Sequence, residues 1–371
     1  MRKFAVALLL LTACTSRRPA AHLSSSPSAT PASAATSTAD FHEPTTFSLS
    51  DVYFIDQSNG WALGAICAVD CDGRIFRTTD GGRTWKLIGL DQTGSAPYGS
   101  IVFVDKLDGW MFDTHDRVQV THDGGHHWEL TALANEDASI TSLVAVGRSV
   151  WVLSHPYCET EPTCTFHLSI SSDGGGAWRQ ARGVPDLKGY GAELVRTDAT
   201  HAYISTWSAG GSEPDLLFST SDGGRTWTRR KNPCSISYDH SIAAFGSSSL
   251  WLMCGSEPGA GQQLKELFRS NDGGVHWIKE ASPPGSGYVG QILATTSSSI
   301  WFSLHRNGPL HSNDGGHSWT NTGIVTRDDF SGFGAFHFLD PTHGWITNYA
   351  GIFRTTNGGR SWSHVVLKAS F

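Results

Sequence analysis

Thr78-Thr79-Asp80-Gly81-Gly82-Arg83-Thr84-Trp85 is the first of seven copies of the pattern Ser/Thr-x-Asp-Gly-Gly-x-x-Trp, and its recurrence decides the fold. The other copies begin at Thr121, Ser171, Thr220, Ser270, Ser312 and Thr355 and end at Trp128, Trp178, Trp227, Trp277, Trp319 and Trp362. Successive tryptophans lie 43, 50, 49, 50, 42 and 43 residues apart, the length of one four-stranded blade. The spacing predicts an all-β, seven-bladed β-propeller with four antiparallel strands per blade.

A second repeat lies upstream of each box. A hydrophobic run and a polar turn lead to Trp61, Trp110, Trp151, Tyr203, Trp251, Trp301 and Trp345, most legibly in Phe54-Ile55-Asp56 to Gly60-Trp61. The two repeats absorb 13 of the 14 tryptophans and leave Trp207 alone. Tryptophan is therefore architecture before it is a ligand platform.

Within blade 1 the pattern predicts an inner strand at Val52 to Ile55, then Trp61 to Gly64, Arg74 to Thr78 and an outer strand at Thr84 to Ile88. The box is the hairpin between the third and fourth strands. Its Gly-Gly pair supplies the positive φ that tight hairpins need. Its Asp and its Ser/Thr hydroxyl bond the turn backbone, and its Trp packs between neighbouring blades. Asp80, Asp123, Asp173, Asp222, Asp272, Asp314 and Asn357 thus have a complete structural job. Asn357 agrees with it, since an amide caps a turn but is a poor acid or base. The seventh unit holds all four strands, so none is evidently lent from the N-terminus, although Phe47 to Leu49 could add an edge contact to blade 7.

The N-terminus carries other information. Met1-Arg2-Lys3 precedes an apolar run from Phe4 to Leu11, too short for the ~20 residues of a membrane span, and reads as a secretory signal over residues 1–13. Leu11-Thr12-Ala13-Cys14 resembles the lipobox of bacterial lipoproteins, which implies cleavage before Cys14 and its lipidation; an ordinary signal peptide is the alternative. Residues 14–46, nearly all Ser, Ala, Thr and Pro, read as a flexible tether, and 47–371 as the propeller. The expected location is the outer side of the cytoplasmic membrane or the periplasm, with the chain a monomer.

Six cysteines remain after Cys14. Proximity pairs Cys67 with Cys71, Cys158 with Cys164, and Cys234 with Cys254, among 15 possible connectivities. Metal binding is the rival, but the spacings do not match zinc patterns and an exported chain meets an oxidising compartment. No metal or cofactor is expected. Cleavage before Cys14 leaves 25 basic against 34 acidic residues, net −9. That balance opposes nucleic-acid binding, and Arg229-Arg230-Lys231 reads as a solvated strand edge.

Function, where present, is expected on the face formed by blade-to-blade connections and second-to-third-strand loops, opposite the boxes. Tyr190, Tyr238 and Tyr288 each stand 13 residues before the second-strand aromatic of their blade; Tyr98 and Phe333 stand 12 before theirs. This predicts an aromatic rim at the mouth of the central channel, for a protein segment or a glycan; packing between blades is the alternative. His122, His126 and His127 around one box, and loop acids Asp116, Glu159, Glu161, Glu213 and Asp215, are weaker candidates for metal binding or paired-carboxylate chemistry. No catalytic residue is assigned.

The combined repeat, Phe-x-Asp-x-x-x-Gly-Trp followed by the box, resembles the bacterial neuraminidase repeat (Asp-box) propellers over about residues 48 to 368. Within that group it is most similar to the photosystem II assembly and stability factor propellers and their relatives in bacteria. The resemblance implies a lipid-tethered binding or scaffold protein that assists a membrane complex. The alternative it implies is a glycan-binding protein or glycosidase. The sialidase Arg-Ile-Pro motif is missing: Arg74-Ile75-Phe76 lies inside a strand. Xyloglucan-active relatives place their site between two propellers, and this chain has length for one.

Overall fold

A computed structural model describes residues 46–67, 71–91, 99–112, 117–133, 139–158, 163–210, 214–234, 238–304, 309–322, 334–348 and 351–367. The expected signal, Cys14 and tether to residue 45 lie outside them. The described chain forms seven sheets, each with its strands in chain order, so every blade is an antiparallel meander. No helix occurs among the described residues. The inner strands, in blade order, are Thr46–Phe54, Ile101–Phe103, Ser139–Val146, Gly191–Arg196, Asp239–Phe245, Val289–Ala294 and Phe336–Phe338. Blade 1 runs longer than the sequence pattern marks, with Gly60–Cys67, Cys71–Thr78 and Lys86–Asp91 completing it. In blade 3 the outer edge is shared: Arg179–Gln180 pairs one half of Cys164–Ser171 and Leu187–Gly189 the other.

The box hairpins close as their chemistry demands. Thr78 Oγ1 accepts from Gly82 N at 2.9 Å and donates to Asp80 Oδ1 at 2.8 Å. Asp80 Oδ1 accepts from the backbone of Arg83 and Thr84, and Oδ2 from the Thr84 hydroxyl. Burial pushes the Asp80 carboxyl up, but the bonds from Thr84, Thr78 and Arg83 outweigh it and hold it at about 2. Asn357 reproduces the set, its Oδ1 taking Ser361 N and its Nδ2 donating to Ser361 Oγ. Gly81 and Gly82 sit at φ +77° and +87°, where a Cβ is disfavoured. The first box glycine of every blade donates its N–H to the turn between strands one and two of its own blade, from Gly81 to Ser58 O through Gly358 to Thr342 O. Two hairpins of each blade are thereby tied together on one face.

The core consists of seven buried clusters, one at each blade interface. Six second-strand tryptophans are essentially fully buried. Each indole removes roughly 150–250 Å² from water, on the order of 4–6 kcal/mol of hydrophobic burial. Four of them also reach across to the next blade through Nε1: Trp61 to Gly124 O, Trp110 to Gly174 O, Trp251 to Gly315 O and Trp345 to Gly81 O, at 2.8–3.1 Å.

The last of these closes the ring. Among the described residues, blade 7 is built wholly from Phe336–Val366 and takes no strand from the N-terminus. Trp345 stacks on Phe54 at 3.5 Å between centroids, and His337 Nε2 bonds Phe54 O at 2.9 Å. Phe47–Leu49, a possible edge for blade 7 on sequence grounds, pairs instead with Gly64–Ile66 inside blade 1. Leu49 joins the closure through its side chain, packed with Trp345, Ile352 and Leu367.

Cys158–Cys164 and Cys234–Cys254 are disulfide-bonded. Cys67 and Cys71 oppose each other in strand register, but their side chains lie outside the described residues.

Candidate functional site

The inner strands set the geometry of the central channel. On each one residue faces the second-strand aromatic: Tyr53, Val102, Val144, Val195, Ala243, Leu293 and His337. Two residues earlier stand Asp51, Ser100, Ser142, Glu193, Ser241, Gln291 and Ala335. Five of them, Asp51, Ser100, Ser142, Glu193 and Ser241, link blade to blade. Asp51 Oδ2 accepts from Ser100 Oγ and Ile101 N, Ser142 Oγ from Leu194 N, Glu193 Oε2 from Ile242 N, and Ser241 Oγ from Ile292 N. Inner strands have a free edge toward the channel, and this belt satisfies part of it.

Two members of the belt are half-buried acids. Burial pushes Glu193 up to about 7, against bonds from Ile242 N and Ser241. Burial likewise raises Asp51 to about 6, against Ser100, Ile101 and Val52. Tyr53 is pushed up to about 12 by burial and by Asp51, and His337 down to about 4 by burial. The channel holds a cavity of about 340 Å³ bordered by residues of all seven inner strands. A second groove of about 360 Å³ lies among Ser100, Phe112, Ser142, Glu193 and Trp207. Glu193 borders both.

Three residues before the belt, at the mouth of the channel on the loop face, are Tyr190, Tyr238 and Tyr288 of blades 4, 5 and 6. Tyr190 N donates to Trp207 O at 2.6 Å and Tyr238 N to Gly255 O at 2.8 Å, so each is fixed at the same place relative to its second strand. In blade 6 a register shift between Val289 and Ile292 moves Tyr288 by one position. Its surroundings are held by Gln263, which accepts from Val289 N, and by Lys265, whose Nζ bonds Gly287 O. Tyr190 is 64% exposed and Tyr238 37%; Tyr288 is half-buried. Tyr157 and Leu264, in second-to-third-strand loops of blades 3 and 5, are among the most exposed apolar side chains. The result is an aromatic and aliphatic arc over blades 3 to 6, on backbone that is pinned.

Tyr98 and Phe333 lie outside the described residues, as do Asp116, Glu159, Glu161 and Glu213. Asp215 accepts from Ser208 N and Oγ. The blade-2 histidines are not brought together: His122 Nδ1 meets Asp108 at 2.7 Å and His127 Nδ1 meets the box acid Asp123 at 2.6 Å. Arg230 of the basic run bonds Ser219 Oγ, and Arg229 and Lys231 are exposed. The belt escaped sequence reading. Its signal is one polar residue in an otherwise apolar inner strand, two before the position opposite the aromatic.

The molecule is thus a seven-bladed propeller whose box face is engaged in its own hydrogen bonds and whose loop face presents exposed aromatics on a rigid base. Among solved structures it is similar to YCF48 bound to a D1 peptide (TM-score 0.60, 21% identity, 85% of this chain and 94% of that one). It is similar also to YCF48 from Cyanidioschyzon merolae (TM-score 0.61, 14% identity, 85% and 96%). A catalytically inactive virginiamycin B lyase from Staphylococcus aureus, solved with quinupristin, shares the fold (TM-score 0.55, 11% identity, 82% and 93%). At these identities the likeness is one of fold. No protein-family model and no curated protein matches the chain.

Proposed function

We propose that the chain is an exported Asp-box propeller, anchored by lipid at Cys14, whose loop face holds a segment of a membrane-protein partner during assembly or stabilisation of a complex. The observation that carries this reading is the pair Tyr190 and Tyr238, exposed at one strand position in successive blades and fixed by backbone bonds, with the half-buried Tyr288 following one blade on. Tyr and Trp supply large contact area with few torsions to freeze, which suits them to binding faces. The similar YCF48 fold solved with a D1 peptide supports a peptide-type ligand over a sugar. The acids of the belt, Glu193 and Asp51, are committed to backbone N–H groups, which makes them poor acid–base catalysts.

The test is affinity capture from gently solubilised native membranes. Wild type is compared with a Tyr190→Ala, Tyr238→Ala, Tyr288→Ala variant shown by circular dichroism to be folded. A membrane protein retained by the first and lost by the second supports the proposal. Equal capture by both removes the loop-face site, and binding of a glycan array by wild type alone moves the ligand to the sugar class.

A further inference from the structure

Trp207, the one tryptophan outside both repeats, lays its ring against His240, with centroids 4.6 Å apart. His240 lies on the inner strand of blade 5, 5% exposed, and its ring meets the Ser205 backbone. The Ser205 backbone can occupy one ring nitrogen and leaves the other for a ligand. Cys254 stands directly opposite His240 in the strand register. A donor nitrogen of His240, a carboxylate oxygen of Asp215 and the sulfur of Cys234 all lie within 4.8 Å of one another. Ser208 orients Asp215 through its N–H and hydroxyl, and Asn232 Oδ1 orients the Cys234 backbone. Cys254 is bonded to Cys234 and completes the group.

One imidazole, one carboxylate and two sulfurs form a donor set suited to tetrahedral zinc, provided both sulfurs are thiolates. In the disulfide they are not. We propose that reduction of Cys234–Cys254 converts this side-chain cluster between blades 4 and 5 into a site for a zinc-type divalent cation, held by His240, Asp215, Cys234 and Cys254. A dithiol reductant gives two electrons and two protons and itself becomes a disulfide, while the S–S bond breaks and releases two thiols. The cation then displaces both thiol protons to solvent as the two metal–sulfur bonds form. Attack begins at Cys234, which is partly exposed, since Cys254 is fully buried.

The second cluster with this chemistry, His155 with Cys158 and Cys164, differs because His155 Nδ1 already bonds Pro156 O. The test therefore reads the difference made by His240. The full chain is reduced with a phosphine, which is removed without air, and titrated with Co²⁺. Reduced wild type is expected to take up about one more equivalent than reduced His240→Gln, with a sulfur-to-cobalt charge-transfer band and tetrahedral d–d bands. Zn²⁺ should raise the unfolding temperature of reduced wild type and not of the oxidised protein. If the reduced chain unfolds alone, restoration of its β-sheet signal by Zn²⁺ in wild type but not in His240→Gln supports the site equally. Asp215→Asn serves as the second variant, expected to weaken binding at least ~10-fold. Equal metal uptake and equal Zn²⁺ response in wild type and both variants would overturn the site.

Discussion

One hydroxyl per blade carries the box hairpin. The Ser/Thr that opens each box is buried, accepts from the second box glycine and donates to the Asp, or in blade 7 the Asn, two residues on. Thr220→Val keeps the shape and removes the hydroxyl, which leaves Gly224 N–H buried without a partner. The expected cost is about 1–3 kcal/mol in urea unfolding, while Thr220→Ser should be near neutral. This residue logic was legible in the sequence because it repeats seven times with fixed spacing. The seventh position of the box shows the same economy: Thr84, Thr226 and Ser318 hydroxyls bond the second carboxylate oxygen, and His127 and His276 replace them. His127 therefore caps its own box hairpin, a role that required the hairpin geometry to see.

At the scale of the strand, the belt makes stability depend on pH. Glu193 titrates near 4.5 when unfolded and at about 7 when folded. Between those values the native state binds more protons than the unfolded one, so stability falls as pH rises through that window. Asp51 acts in the same direction between 3.8 and about 6. Glu193→Gln, which keeps an acceptor for Ile242 N and carries no charge, should therefore stabilise the protein at pH 8 by on the order of 1–3 kcal/mol and change little at pH 4. Chemical denaturation at the two pH values measures it; equal effects at both would sink the assignment. The box aspartates oppose this, since their depressed values mean stability lost as pH falls toward 2. Strand number and order were readable from hydrophobic runs and turns. The belt was not, because a lone Asp, Glu or Ser in a short strand acquires meaning through the neighbouring blade, which no local window contains.

The whole molecule is a ring closed by packing. Trp345 fills the interface of blades 7 and 1 as Trp61 fills that of blades 1 and 2, with the same Nε1 bond to a box carbonyl. Trp345→Ala should cost roughly 3–5 kcal/mol, and Trp345→Phe about 1 kcal/mol for the lost N–H bond, both read as shifts in the unfolding midpoint. Closure was open in the sequence, since a complete seventh unit says nothing of what its edge touches. The loop face was half legible: the tyrosine spacing pointed to it, while Tyr157 and Leu264 take their places on it only through folding. The most direct measurement is hydrogen–deuterium exchange of the propeller with and without its captured membrane partner. The account predicts slowed exchange at 189–191, 238–239 and 256–264, with the box hairpins unchanged. Protection of the box hairpins, with these loop-face segments unaffected, would contradict it.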